Sequence, residues 1–80
     1  MFSEETVIKV ATVIDQEINR LHLDHQPGRW NALAGQWLVY GFERYFGFGG
    51  AVELEAIVER AWRRGTPIKP VVEAWLYEQT

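Results

Sequence analysis

The sequence predicts an all-α domain: a compact bundle of about four helices, over residues 4–23, 29–46, 51–64 and 70–78, in a single unit spanning 1–80. Three observations lead there. Apolar residues recur at spacings of three and four within each segment. Glycine and proline fall between those segments. The β-branched run Thr6-Val7-Ile8-Lys9-Val10-Ala11 does not alternate as a strand would require.

The first helix begins after Ser3, whose hydroxyl suits an N-cap, and Glu4 and Glu5 place negative charge at the positive end of the helix dipole. Val7, Ala11, Ile14, Ile18 and Leu21 line one face, and Val10 widens it. Ile8 and Val13 fall outside that stripe. Asp24-His25-Gln26-Pro27-Gly28 reads as a turn, because proline stops a helix and Pro-Gly favours reversal.

The second helix carries an eight-position apolar template: Trp30, Leu33, Ala34, Trp37, Leu38, Gly41, Phe42 and Tyr45. Aromatic content alone would favour a strand, but the period is that of a helix. Gly41, on the expected buried face, suggests a close approach by a neighbouring helix. Gly47-Phe48-Gly49-Gly50 then reads as a flexible break.

Leu54, Ile57, Val58, Ala61 and Trp62 give the third helix its apolar face. Acids come first (Glu53, Glu55, Glu59) and bases last (Arg60, Arg63, Arg64), which complements the dipole, and Glu59 with Arg63 forms a favourable i, i+4 pair. Gly65 closes this helix. Pro70 suits the first position of a final helix whose apolar face is Val71, Val72, Trp75 and Leu76. Short connections favour antiparallel neighbours.

Composition narrows the function classes. With 80 residues and no cysteine, neither disulfides nor thiolate metal sites stabilise the core. The chain is 48% hydrophobic and 14% aromatic with four Trp, a surplus that must fill a core or an interface. Self-association as a homodimer is therefore expected. A formal charge of −3 disfavours non-specific binding to nucleic acid or anionic membrane. No signal-peptide pattern is visible, and the longest apolar run, Trp37 to Phe42, is far short of the roughly 20 residues that span a bilayer. A soluble cytoplasmic protein without membrane contact is the expectation.

Few residue groups carry chemistry. His22, Asp24 and His25 resemble a partial metal site but have no third imidazole or thiolate, and protonated His22 at a helix C-terminus accounts for itself through the dipole. No nucleophile sits in a catalytic motif, so no enzymatic activity, metal or cofactor is expected. Arg60, Arg63, Arg64 and Lys69 could contact phosphate, but the following helix offers no Arg, Asn or Gln to read bases over 70–78. Seven of the eleven aromatics lie between Trp30 and Phe48. Val39, Tyr40, Phe46 and Phe48 fall outside the inward template, and such groups are enriched at protein interfaces. The leading expectation is a non-enzymatic protein-interaction or regulatory adaptor acting through this aromatic surface. The alternatives are a nucleic-acid-associated regulator using the 60–69 patch, or a binder of small apolar ligands.

Overall fold

Ser3 starts the first helix as its side chain predicts, its hydroxyl accepting the Thr6 N–H at 3.1 Å. In a computed structural model, which describes residues 2–23 and 28–79, the chain forms α1 (Glu4–Leu21), α2 (Ala32–Arg64) and α3 (Ile68–Glu78). No strand occurs among the described residues. None of these helices is long and apolar enough to cross a membrane.

α1 ends two residues earlier than the pattern suggests, and α2 begins three residues later. The reason lies in Asn31. Its side-chain oxygen caps α2 by accepting the Leu33 N–H at 2.9 Å, while its amide donates to the Leu21 carbonyl at 3.1 Å. One side chain thus satisfies orphan groups at both helix ends, and Arg29 and Trp30 stay outside the helix. Gly28, at φ 76°, sits in the connection; Asp24, His25, Gln26 and Pro27 of the expected turn lie outside the described residues.

The second and third expected helices are one continuous element, so the count is three rather than four. The predicted four-residue break contracts to Gly47, at φ 75° and ψ 168°, with helical geometry on either side. A straight helix of 33 residues would run about 50 Å, yet the longest dimension of the protein is 37 Å. α2 therefore folds back on itself. Trp30 meets Trp62 at 5.7 Å between ring centroids, and Gly35 lies against the Glu55 carboxylate, so the first arm (32–46) and second arm (48–64) run antiparallel. The bend is tight: a Cβ on Gly50 would fall 2.8 Å from that of Phe46.

α2 closes at Gly65, at φ 69°, with the Thr66 N–H donating to the Ala61 carbonyl and the Gly65 N–H to that of Trp62. These are the bonds of a Schellman motif. α3 starts at Ile68, two residues before the predicted Pro70, which occupies the first turn, where its missing N–H costs nothing.

The core joins Val7, Ala11, Ile14 and Ile18 of α1 to Ala34, Leu38, Leu54, Val58 and Ala61 of α2 and Ile68, Val72, Trp75 and Leu76 of α3. Burying each large aliphatic side chain contributes about 1.5–3 kcal/mol. The α1 and α3 faces are those the spacing predicts. The eight-position template of α2 is half right: Ala34 and Leu38 are fully buried, but Leu33 and Tyr45 are 62% and 66% exposed. Gly41 is also exposed, with nothing near its missing side chain; the close approach is made at Gly35. The inward stripe of the first arm runs through Ala34, Gly35 and Leu38 to the partly buried Phe42 and Phe46, and leaves Leu33, Gly41 and Tyr45 outside it. The exposed area is 5212 Å², close to the roughly 5,000 Å² that scaling gives for a 9.3 kDa monomer.

Candidate interaction groove

On α1, Thr6, Lys9, Val10 and Val13 form a second stripe beside the one that faces the core, and Phe2, just ahead of the Ser3 cap, extends it. Across from it, Phe42, Tyr45 and Phe46 project from the end of the first arm of α2. The two rows wall an open groove of about 430 Å³, floored by the buried Val7 and Leu76. Helical spacing builds both walls: three, four and seven residues from Thr6 on one side, three and four from Phe42 on the other.

Phe46 organises the aromatic wall. Its ring stacks on Phe42 at 6.2 Å and meets Phe2 and Trp75 edge-on at 5.7 and 5.0 Å. Such pairs contribute about 0.5–1.5 kcal/mol beyond their buried area. Phe42 also meets Trp37 edge-on at 5.7 Å. The wall is thus held from behind, while Tyr45 and Val13, 66% and 51% exposed, form opposite rims. Lys9 is the one charged residue in the lining, and the Arg44 guanidinium lies over the Tyr45 ring at 5.7 Å. The ion pairs among the described residues join Arg20 to Glu17 and Arg63 to Glu59, so neither Lys9 nor Arg44 has a carboxylate partner there.

No known family model, curated protein or solved structure matches this chain. Function must be argued from this geometry.

The surface residues singled out by sequence separate. Tyr40 and Phe48 are 70% and 64% exposed, Val39 is half-buried, and none of the three lines the groove. Phe46 does line it, but as a packed ring rather than a free anchor. Tyr45, assigned by spacing to the core, is on the rim. Tertiary contacts decide both assignments: Phe46 packs on Trp75 and Phe2, while Tyr45 is left on the open side of the groove.

The basic group at 60–69 is mixed with acids. Arg63 Nε donates to Glu59 at 2.8 Å. Arg60 and Arg64 are exposed and share a shallow depression with Glu55 and Glu59, and Lys69 is half-buried. Burial, reinforced by Glu59, raises the Glu55 pKa above its ordinary value, although a hydrogen bond from Trp30 pulls the other way. A phosphate would meet two carboxylates there.

His22 has a role that composition does not reveal. Its ring lies 5.1 Å from Trp30 and 4.4 Å from Trp62, between centroids. Nε2 accepts the Asn31 N–H at 3.0 Å, and Nδ1 lies 2.8 Å from the Ile18 carbonyl. This geometry fits a neutral ring protonated on Nδ1, which donates to Ile18. A dipole-stabilising cation, the reading from sequence, could not accept from Asn31. His25 and Asp24, its suggested metal partners, lie outside the described residues, and among those described no three metal-binding side chains cluster. Two acids also hold indoles from afar: Glu53 accepts the Trp75 N–H at 2.8 Å, and Glu55 that of Trp30. These contacts span more than twenty residues, beyond the reach of local pattern.

Proposed function

We propose that this chain is a protein-interaction module that receives a segment of a partner in the groove between α1 and the first arm of α2. The supporting observation is the groove itself: apolar walls fixed by interlocked aromatic rings, open to solvent, with exposed Tyr45 and Val13 on its rims. Anchor pockets at protein interfaces have this composition, and a wall packed in advance lowers the ordering cost of binding. The reading moves the interaction surface from Tyr40 and Phe48 to the groove, and keeps Phe46 within it.

Photo-crosslinking in native extract tests it. A benzophenone side chain replacing Tyr45 or Val13 should yield discrete protein adducts, while the same group at Tyr77, half exposed outside the groove, should not. Equal labelling from all three positions would refute the groove as a specific site. A second reading, a small apolar ligand, draws on the groove volume, which lies within the 300–1,000 Å³ of ligand pockets. Native mass spectrometry after gentle purification would reveal such a ligand as a discrete added mass.

A further inference from the structure

We infer that the occupant of the groove is an amphipathic helix whose apolar anchors are flanked by carboxylates. This rests on the groove being a protein-docking site, and it adds the chemistry of the partner.

Three features of the groove point to it. The first is charge. Lys9 lines the groove and Arg44 lies over its Tyr45 rim, while no carboxylate is in the lining. The chain has eleven acidic against eight basic residues, yet no described acid is paired with either cation. Arg20 and Arg63, by contrast, are each matched within their own helix. A basic rim without carboxylate partners, on a chain of net negative charge, is complementary to an acidic visitor and repels a basic one.

The second feature is shape. The α1 wall runs from Thr6 to Val13, roughly two helical turns, and the opposite wall is also helical. A trough between two helices suits side chains at i, i+3 or i+4 and i+7 of a third helix. Strand addition needs an unpaired sheet edge, and the described residues contain no strand. The third feature is size. A groove of about 430 Å³ admits a few large side chains and not the face of a domain, so a short segment fits better than a globular surface.

The test uses three synthetic helical peptides with identical leucine anchors at i, i+4 and i+7. Their flanking positions are all Glu, all Gln or all Lys. Fluorescence anisotropy on the full chain should rank affinity Glu over Gln over Lys, with about threefold or more at each step. The ranking should collapse at 1 M salt, where the Debye length is about 3 Å. Lys9→Glu combined with Arg44→Glu should invert it, and since both positions are exposed an unchanged circular dichroism spectrum will show that the fold persists. Equal affinity for the three peptides, abolished by Val13→Glu, would overturn the acidic partner while leaving the docking groove intact. Binding by none of them, with crosslinked adducts still forming from Tyr45, would overturn the helical occupant alone. Absence of both would remove the docking reading as well. A dimer in sedimentation that Val13→Glu dissolves would make a second copy the occupant, and tight binding of a fatty acid by native mass spectrometry would make it a lipid; either overturns the inference.

Discussion

Replacing Gly47 by alanine attacks the one residue on which the reversal of α2 depends. Its φ of 75° with ψ of 168° lies in a region that only glycine adopts readily. Nothing lies within 4 Å of the missing Cβ, so any cost is backbone strain and not a clash. That strain is about 1–3 kcal/mol. Restricting the unfolded chain returns about 0.4–1 kcal/mol, leaving a net loss of about 1–2 kcal/mol. At about 4–8 °C per kcal/mol for a domain of this size, melting followed by circular dichroism should fall by about 5–15 °C. Gly41→Ala is the internal control. That position is helical, exposed and open, so it should gain about 0.5–1 kcal/mol from helix propensity. A D-alanine at position 47, introduced by chemical synthesis, favours positive φ and should at least preserve stability. If Gly47→Ala were tolerated as well as Gly41→Ala, the antiparallel arms described here would be wrong.

Other perturbations separate the remaining claims. His22→Ala removes two hydrogen-bond partners and the ring between Trp30 and Trp62, and should lower unfolding free energy in urea by about 2–4 kcal/mol. His22→Phe keeps the stack and should lose about half as much. Because burial raises the Glu55 pKa in the folded state, the folded protein holds the extra proton. The stability that this lends is full below the ordinary carboxyl value of 4.5 and declines as pH rises through the raised one. Glu55→Gln should therefore flatten that decline in pH-resolved denaturation and make the protein more stable at neutral pH. Phe46→Ala should cost about 3–5 kcal/mol of stability, as for a packed aromatic, whereas Tyr40→Ala and Phe48→Ala should stay within about 1 kcal/mol; equal losses would mean that the exposed rings are core.

How much of this was legible follows from the range of each interaction. The faces of α1 and α3, the Ser3 cap, the Gly65 stop and the Glu59–Arg63 pair are all set within a few residues, and period and capping rules read them correctly. The faces of α2 depend on which elements the two arms pack against once the chain reverses. Four glycine-rich positions announce a break, but only the backbone at Gly47 fixes its location and geometry. Period alone puts Tyr45 inside and Phe46 outside; the partners that reverse this, Trp75 and Phe2 against Phe46, come from distant parts of the chain. The groove was illegible for a related reason: its α1 wall contains Thr6 and Lys9, and its other wall joins it only through tertiary folding. Asn31 is of a residue type that favours N-caps, a signal that the apolar spacing passes over, and its cap sets the α2 start at 32 rather than 29.

The central claim, that recognition occurs in the groove, is tested most directly by two-dimensional NMR of the isotopically labelled chain titrated with the Glu-flanked helical peptide. The account predicts that shift changes concentrate on Phe2, Lys9, Val13, Phe42, Tyr45 and Phe46. Changes centred instead on Tyr40 and Phe48, or on Arg60 and Arg64, would contradict it.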